Sequence, residues 1–379
     1  MSEWRDTTLG DICKINMGQS PKSEHYNYEK QGLPFLQGNR TFGAKYPTFD
    51  TYTNVVTKIA EPYDVIMSVR APVGDVNITP IKMCLGRGVC SLNHNQNEQE
   101  FLYYLIRHYS KELINNQNGT VFGCVNYKDI ANLKIMYPPL PEQKAIAEVL
   151  SSLDDKIDLL SRQNKTLEAL ASTYFRQWFI EEANDDWEEK QLNKLGKIVC
   201  GKTPSTKVTQ YFGGNIPFIK IPDMHNKVYV FDANETLSEF GARSQANKTV
   251  PPFSINVSCI ATVGLVTMNV YPSQTNQQIN TIIPFENATR YFLFLFLKSY
   301  YEELQALGSG GTMTLNINTT LFGEITLAIP PNNLLKKFND IVAPLFEKIH
   351  GNAKQLNTLK KLRDTLLPKL ISGEVRVTV

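Results

Sequence analysis

The chain has 379 residues, more than one ordinary hydrophobic core organises, which indicates about two domains. Hydrophobic residues make up 42% of it and charged residues 20%, proportions typical of a soluble globular protein and not of a disordered or fibrous one. The formal net charge of +2 neither requires nor excludes a nucleic-acid partner, because acidic residues elsewhere can balance a basic face.

Secretion, membrane insertion and metal binding leave characteristic sequence patterns, and none of them is found. The N-terminus lacks the basic start and apolar centre of a secretory signal. The most apolar run, residues 291–297, is far shorter than the roughly 20 residues needed to span a bilayer. Six cysteines are scattered without a C-x-x-C pair, as expected for reduced thiols. We therefore expect a cytoplasmic protein with no membrane segment, no disulfide framework and no metal.

The chain opens with a segment, residues 1–140, in which short β-rich runs alternate with turns. Runs such as PFLQ, DVIMSV and GVCSL are separated by Gly, Pro and Asn, which predicts short strands. An amphipathic helix is predicted at residues 98–112, with its aromatic stripe packed into the core. This mixture predicts an α+β domain built around a twisted sheet.

Residues 141–183 show the spacing of a long helix that pairs with another helix. Apolar positions alternate in steps of four and three, which is a coiled-coil signal. Pro141 suits a first helical turn, and Glu142 lies near the positive end of the helix dipole. The predicted seam contains Ile146, Leu150, Leu153, Ile157, Leu160, Asn164, Leu167, Tyr174 and Trp178.

The second half of the chain repeats the first, with residue numbers offset by 183 to 192. WRDTTLGDICKINMGQSPKS, which starts at Trp4, aligns with WEEKQLNKLGKIVCGKTPST, which starts at Trp187. SVRAPVGDV has a shortened counterpart in CIATVGLV, which ends at Val266. Residues 184–331 are therefore predicted to form a second α+β domain, with its own amphipathic helix at residues 288–304.

Residues 332–379 repeat the helical tail, and Pro344 is predicted to kink this second helix near its start. Its seam contains Leu345, Ile349, Asn352, Leu356, Leu359, Leu366 and Leu370. Each seam carries one asparagine, Asn164 or Asn352, and a buried asparagine costs stability but fixes register and partner number. The alternative, that each asparagine faces solvent, stays open.

Two tandem domains with two long helices predict one packing arrangement. The helices pair antiparallel and bury their seams, and the domains lie at opposite ends, related by an approximate half-turn. A helix of about 38 residues spans about 57 Å at 1.5 Å per residue. Sites on one face of duplex DNA repeat every ~34–36 Å, so two different domains on such helices match two half-sites separated by an unread gap.

One short string, GKIVCGKTPS at residues 196–205, matches the phosphate-loop pattern G-x-x-x-x-G-K-[ST]. A true phosphate loop follows a buried strand and opens a helix. Here a polar segment precedes the string, Pro204 follows it, and the equivalent GDICKINMGQS of the first copy is no phosphate loop. We interpret the match as accidental, with Lys202 exposed on a turn after a short strand, and discount a nucleotide-hydrolysing enzyme.

Two longer segments resemble one protein family. PLPEQKAIAEVLSSLDDKIDLLSRQNKTLEALASTYFRQWF resembles the central conserved region of the specificity (S) subunits of type I restriction-modification systems. LRDTLLPKLISGEVRV resembles their C-terminal conserved region. The pattern W…LGDI…GQSP, its echo W…LGKI…GKTPS and the PP before each helix are similar to that family too. The resemblance covers essentially the whole chain, in the family's order.

The resemblance implies two target-recognition domains that each read half of a bipartite sequence in double-stranded DNA. It implies that the helices dock two methyltransferase (M) subunits and that nuclease-translocase (R) subunits join this core. It places catalysis, and the S-adenosylmethionine that catalysis uses, in the M subunits. The sequence is consistent with the absence of catalysis in this chain. An adenine methyltransferase has the string [ND]-P-P-[YF], whereas YPPL at Tyr137 lacks its Asn or Asp. We expect no catalysis and no cofactor in this chain; a coiled-coil scaffold that binds no DNA is the alternative.

Candidate DNA contacts follow from side-chain chemistry and not from the resemblance. Arg and Lys pair with guanine edges and phosphates, whereas Asn and Gln pair with adenine. In the first domain the candidates are Gln37, Asn39, Arg40, Lys45, Arg70 and Arg87. The glycines beside Arg87 would let backbone approach a phosphate. In the second domain the candidates are Lys202, Lys220, His225, Asn226, Lys227 and Arg243. For each residue alone, an ordinary solvated position is the alternative.

Overall fold

The computed structural model describes residues 3–115, 123–309 and 315–377. They form two compact units, one made of the chain up to Ile157 together with the chain from Leu359 onward, the other of Asp158–Thr358. Each unit combines strands and short helices with parts of two long helices, so the predicted α+β class is confirmed. The unit boundaries fall inside the long helices, whereas the predicted division separated each helix from its domain.

In the first unit, short strands and helices lead up to a long helix. In chain order they are β1 (Arg5–Thr8), α1 (Leu9–Ile12), β2 (Cys13–Met17), β3 (Tyr26–Asn27), β4 (Leu33–Leu36), β5 (Tyr52–Thr53), β6 (Ile59–Ala60), β7 (Val65–Ser68), β8 (Val76–Ile78), β9 (Met83–Leu85), β10 (Val89–His94), α2 (Gln99–Asn115), α3 (Tyr127–Ala131), β11 (Lys134–Tyr137) and α4 (Leu140–Arg176). An antiparallel sheet has the order β2-β10-β7-β8. A mixed sheet has the order β3-β5-β4-β9-β6, with β4 and β9 parallel, and β1 pairs with β11.

The core of the first unit lies between the antiparallel sheet, α2 and the long helices. Val65, Met67 and Leu92 of the sheet are 0% exposed, and so are Phe101 and Tyr104 of α2. Residues of α4 and of the C-terminal segment belong to the same apolar cluster. Full burial of one such side chain contributes about 1.5–3 kcal/mol, so the helices help to hold the sheet in place.

The second unit repeats this arrangement. After a π-helical turn at Gln177–Glu181, its elements are β12 (Glu188–Gln191), β13 (Gly196–Cys200), β14 (Phe212–Ile219), α5 (Ile221–Met224), β15 (Tyr229–Val230), β16 (Glu235–Leu237), α6 (Glu239–Arg243), β17 (Ile255–Ser258), β18 (Val266–Asn269), β19 (Gln274–Thr275), β20 (Ile279–Pro284), α7 (Arg290–Ser299), α8 (Tyr301–Gly308), α9 (Thr319–Glu324), β21 (Thr326–Ile329) and α10 (Asn332–Ile371). Its sheets have the orders β13-β20-β17-β18-β15 and β16-β14-β19, and β12 pairs with β21 as β1 pairs with β11.

Equivalent hydrogen bonds make the predicted repeat visible in the structure. The Ser68 hydroxyl accepts from the Asp75 amide (3.0 Å), and the Ser258 hydroxyl accepts from the Leu265 amide (2.9 Å). These bonds align the two segments residue by residue without a gap. The prediction that the second copy is shortened here is therefore wrong.

Two helices can be compared with their predicted forms. α10 continues without interruption through Pro344, and the kink predicted there stays a prediction. The amphipathic helix predicted at residues 288–304 is divided into α7 and α8. The division falls at Tyr300, where the backbone leaves the helical conformation (φ −84°, ψ 22°).

Within the first unit, α4 and the C-terminal part of the chain run antiparallel. Asp154 accepts from the Arg363 guanidinium (2.8 Å) and from the Tyr104 hydroxyl (2.9 Å), so this buried carboxylate is paired on both sides. At the start of α4, Glu142 accepts from the Arg376 guanidinium (2.7 Å). The predicted seam residues of this unit are buried or half-buried: Ile146, Leu150, Leu153, Ile157, Leu359, Leu366 and Leu370.

Within the second unit, the two long helices also run antiparallel, and a polar pair lies in their seam. Asn352 is 2% exposed, and its Nδ2 donates to Asn164 Oδ1 (2.9 Å). Nearer the end of α4, Trp178 packs against Phe338, with 6.0 Å between ring centroids. The predicted seam residues of this unit are buried or half-buried: Leu160, Asn164, Leu167, Tyr174, Trp178, Leu345, Ile349, Asn352 and Leu356. The solvent-facing alternative therefore does not hold for Asn352.

The asparagine pair leads to a prediction about stability. Asn352→Leu leaves the Asn164 amide without its partner in the seam, which costs about 1–3 kcal/mol. Replacing both asparagines by leucine removes the unpaired amide, so the double variant should be more stable than either single variant. Urea unfolding measures the difference, with the exposed Gln355→Leu on α10 as control. A double variant less stable than both single variants would contradict the pairing.

His94 holds the turn that precedes α2 from a buried position. It is 1% exposed, and its Nδ1 accepts from the amides of Gln96 and Glu98 (3.2 Å each). Its Nε2 lies 2.9 Å from the Tyr137 hydroxyl. Because Nδ1 accepts two hydrogen bonds, the ring is neutral and Nε2 carries the proton. Burial lowers the pKa of His94 to about 4.

The lowered pKa of His94 predicts sensitivity to acid. The unfolded chain binds a proton on this side chain near pH 6.5, whereas the folded chain does so near pH 4. This contribution to stability is therefore complete above pH 6.5 and is lost as the pH falls to about 4. His94→Asn keeps an acceptor that does not titrate, so its free energy of unfolding should fall less over this interval. Urea unfolding as a function of pH tests this, with His25→Asn on a surface turn as control; equal pH dependence of wild type and His94→Asn would contradict it.

Candidate nucleic-acid interface

Three turns of the first unit meet at one end of its sheets. They are residues 18–20 after β2, residues 37–40 after β4, and residues 86–88 between β9 and β10. Backbone hydrogen bonds of 2.8–3.1 Å join the turns to one another and to the strand ends. The Arg87 amide donates to the Ser20 hydroxyl (3.0 Å), which ties the third turn to the first. We call these three turns the first tip.

Glycines allow the turns of the first tip to approach closely. A Cβ atom on Gly18 would lie 2.1 Å from the Gly86 carbonyl oxygen, and one on Gly86 would lie 2.7 Å from the Gln37 Cα. A Cβ atom on Gly88 would lie 2.3 Å from the Gln37 carbonyl oxygen. The glycines on both sides of Arg87 are therefore required by packing inside the protein, whether or not a phosphate approaches them.

A cleft of about 460 Å³ opens at the first tip. It brings together five of the six candidates predicted for the first domain: Gln37, Asn39, Arg40, Arg70 and Arg87. Two tyrosines that were not predicted also line it, Tyr26 and Tyr28. Arg40 pairs with Asp50 (2.8 Å), whereas neither Arg70 nor Arg87 forms an ion pair with any residue that the structure describes. Both are exposed, so the cleft presents two guanidinium groups without acidic partners.

The sixth candidate, Lys45, lies outside this cleft. Its ammonium group pairs with Glu100 of α2 (2.9 Å), and its side chain is only 10% exposed. The lysine thus joins its loop to α2 and is largely withdrawn from solvent. No local sequence pattern indicates this ion pair, because Glu100 lies in a different element and a charged residue after a strand is ordinarily exposed.

The second unit builds an equivalent group of turns. They are residues 201–203 after β13, Lys220 after β14, and residues 276–278 between β19 and β20. Backbone hydrogen bonds of 2.9–3.2 Å join them in the pattern of the first tip. A Cβ atom on Gly201 would lie 2.1 Å from the Asn276 carbonyl oxygen, which repeats the close approach seen in the first unit. We call these turns the second tip.

Lys202 lies in the second tip and not in a phosphate loop. β13 precedes it, but no helix starts at Thr203; the chain instead reaches a 3-10 turn at Thr209–Tyr211 and then β14. Lys202 is exposed, as predicted for a turn after a short strand. The phosphate-loop match is therefore accidental.

The side chains of the second tip differ from those of the first. Lys220 forms an ion pair with Glu235. Gln277 is exposed, and its Oε1 accepts from the Thr203 hydroxyl (2.6 Å). Equivalent backbone bonds place Gln277 at the position of Arg87, in the turn between the same two strands. Gln277 was not among the predicted candidates, although extending the repeat alignment through β19 and β20 identifies it.

Two buried glutamines support the second tip. Gln274 is 0% exposed, and its Nε2 donates to the Ala242 carbonyl oxygen (2.9 Å) and the Thr249 hydroxyl (2.8 Å). Gln245 is 5% exposed, and its Nε2 donates to the carbonyl oxygen of Lys202 (2.7 Å) and to Gln274 Oε1 (2.7 Å). If the Lys202 backbone moved away, the buried Gln245 amide would lose a partner, which costs about 1–3 kcal/mol. This network therefore holds the Lys202 backbone in place.

The remaining candidates of the second domain lie on other exposed segments. His225, Asn226 and Lys227 follow α5, and Asn226 has left-handed backbone (φ 57°). Arg243 ends α6, where it pairs with Glu239 (3.1 Å) and keeps 80% of its side chain exposed. All four residues are accessible, but no hydrogen bond or ion pair among the described residues joins their side chains to the second tip.

The tips offer hydrogen bonding and charge, the chemistry by which proteins position and read nucleic acid. Across the described ranges, no three His, Cys, Asp or Glu side chains gather as a metal site. None of the helices in the described ranges is long and apolar enough to cross a membrane.

Comparison with known proteins finds relatives over nearly the whole chain. The family described as type I restriction modification DNA specificity domain matches residues 1–169 and 184–361, one match in each repeat. The type I restriction enzyme HindI specificity subunit of Haemophilus influenzae is 30% identical, with 99% of this chain and 100% of that protein aligned. The type I restriction enzyme MjaIX specificity subunit of Methanocaldococcus jannaschii is 25% identical, with 99% of this chain and 94% of that protein aligned.

A solved structure has the same fold. The crystal structure of the type I restriction-modification system S subunit from M. genitalium matches with a TM-score of 0.66 and 19% identity. The match covers 97% of this chain and 96% of that one. Two domain matches and one similar fold over the full length agree with the internal repeat.

Proposed function

Because this chain belongs to the type I restriction-modification DNA specificity family, we propose that it selects the DNA sequence on which a type I restriction-modification complex acts. The family resemblance seen in the sequence is thereby confirmed. Each globular domain reads one half of a bipartite target in double-stranded DNA. The observation that supports this most directly is the pair of tips, in which one backbone framework presents different exposed side chains. A coiled-coil scaffold that binds no DNA gives no reason for that difference.

The chain acts within a larger complex in this proposal. Two M subunits dock on the long helices, where three leucines are 40–44% exposed: Leu159, Leu170 and Leu362. Exposed apolar side chains on a helix are suited to a protein contact. R subunits join through this core, and the complex acts on the DNA of the cytoplasm. The M subunits bind S-adenosylmethionine and carry out catalysis, while this chain contributes recognition alone.

The long helices set the gap between the half-sites in this proposal. α4 and α10 contain 37 and 40 residues. At 1.5 Å per residue they are about 55–60 Å long. Each helix contributes residues to both compact units, so a change in helix length acts on both domains. The Asn164–Asn352 hydrogen bond fixes the register of the helices and hence the gap.

Exchange of one domain tests the proposed function. Replacing residues 1–140 by the first domain of another family member should change one half-site and leave the other intact, because the second tip is untouched. The hybrid is expressed with its M subunits, and methylated adenines are mapped across the genome. The matched exchange of residues 184–331 should alter the other half-site. A hybrid in which both half-sites change, or neither does, would show that the domains do not read separately.

Lengthening both helices tests their role in spacing. Seven residues, one heptad, are inserted after Leu160 in α4 and after Leu356 in α10, which keeps both seams in phase. Each helix grows by about 10 Å, or about three base pairs at 3.4 Å per base pair, so the gap should widen by up to that amount. The half-site sequences should stay the same, because neither tip is altered. Genome-wide mapping of methylated adenines gives both quantities.

A second insertion serves as the control for this experiment. Two residues at each of the same positions rotate the downstream seam away from its partner helix, so this variant should lose assembly with M subunits and not acquire a new gap. An active heptad variant with an unchanged gap would mean that the helices do not set the spacing.

A further inference from the structure

Within their turns, the two tips share a backbone hydrogen-bond pattern and one tight glycine contact, and they differ at positions that face solvent. Gly18 and Gly201 make the same close contact with the neighbouring turn. Ser20 and Thr203 are also equivalent: the Ser20 hydroxyl accepts from the Arg87 amide, and the Thr203 hydroxyl donates to the Gln277 side chain. Equivalent backbone hydrogen bonds hold the turns in the same pattern in both domains, so the exposed positions are the first place to look for a difference in DNA preference.

Resting on the proposed function, we propose that Arg87 and Gln277 are the corresponding base-reading residues of the two domains. Arg87 selects a guanine in the half-site of the first domain. Gln277 selects an adenine in the half-site of the second domain. Each residue occupies the middle of the turn between two strands that end at the tip.

At each tip, one charged neighbour of these two residues is already held in an ion pair. The Arg40 guanidinium lies against Asp50 (2.8 Å), and the Lys220 ammonium pairs with Glu235. A cation that already has a carboxylate partner must give up that attraction before it contacts a base edge. Arg87 has no acidic partner among the described residues.

Arg70 is also exposed and without an acidic partner, but its equivalent in the repeat excludes it as a shared reading position. The gapless alignment of the two copies places Ile260 there. An isoleucine side chain cannot form a hydrogen bond with a base. The turn that carries Arg87 and Gln277 presents a hydrogen-bonding side chain in both domains.

The guanidinium of Arg87 matches the major-groove edge of guanine. Its N–H donors form a planar fork that reaches the O6 and N7 acceptors together. The backbone beneath it is fixed by the Ser20 hydroxyl (3.0 Å) and by two glycines that pack against Gln37. Little backbone freedom is therefore lost when the side chain binds, which favours a discriminating contact.

The amide of Gln277 matches the major-groove edge of adenine. Adenine offers a donor at N6 and an acceptor at N7, and a glutamine amide supplies one acceptor and one donor to them. The Thr203 hydroxyl donates to Oε1 (2.6 Å) and so orients the amide. Oε1 keeps a second lone pair and Nε2 keeps its donors, so both contacts to adenine remain open.

The test uses the complex assembled with its M subunits and a set of duplexes derived from the wild-type target, each with one base pair changed. Relative methylation rates of competing duplexes give the preference at every position. Arg87→Gln should reduce discrimination at one guanine by about 5- to 150-fold, the range of one bidentate contact, while Arg87→Lys keeps the preference for guanine. Gln277→Arg should reduce discrimination at one adenine of the other half-site. Lys14→Gln, which removes an exposed positive charge from β2, should leave every preference unchanged.

Each outcome of this test bears on a separate claim. Unchanged preferences in Arg87→Gln and Gln277→Arg, or changes at other base types, would overturn the assignment and leave the proposed function intact. An equal loss of rate on all duplexes would place Arg87 on a phosphate and would also overturn the assignment. A wild-type complex with no sequence preference would instead overturn the proposed function. Thermal unfolding curves matched to wild type confirm that the variants are folded.

Discussion

Burial of side chains from α4 and α10 is the constraint on which both units depend. In the first unit Ile146, Leu150 and Ile371 complete the core, and in the second unit Phe338 and Ile349 do the same; all are 0–1% exposed. Each such side chain contributes about 1.5–3 kcal/mol on burial, so neither globular part has a closed core without the helices. An apolar seam alone tolerates sliding by a heptad, and the paired asparagines remove that freedom. Folding and helix register are therefore coupled.

The two tips present different exposed side chains on one arrangement of turns. One glycine and one hydroxyl group are shared by the two tips, Gly18 or Gly201 and Ser20 or Thr203, and at the glycine the turns approach within distances that no other side chain allows. The exposed positions carry no such constraint, so they can change without disturbing the sheets behind them. The second tip adds a buried network of Gln245 and Gln274 beneath Lys202, where the first relies on tight glycine contacts. The supporting structure can thus vary while the position of the turns is maintained.

The repeat, the α+β class and the seams were predictable because they depend on periodicity and local composition, which the sequence states directly. The position of Lys45 was not, since its partner Glu100 is brought close only by the fold. The glycines beside Arg87 were assigned to a phosphate, whereas contacts with a distant strand end explain them. Gln277 was not predicted because the two copies share no residue in this turn, GRG at 86–88 and NQQ at 276–278, so its equivalence to Arg87 depends on the flanking strands. The exposure of a candidate side chain can therefore be predicted where it depends on the local sequence. It cannot be predicted where the side chain contacts a residue that is distant in the chain.

The proposed function requires that the two domains of this chain each contribute recognition of a separate half-site. The most direct measurement is the equilibrium binding of the complex with M subunits to four duplexes that contain both half-sites, the first alone, the second alone, or neither. We expect that, at constant salt, loss of either half-site weakens binding and that the two losses combine when both half-sites are absent. Binding that depends on one half-site only, with no effect of removing the other, would contradict it.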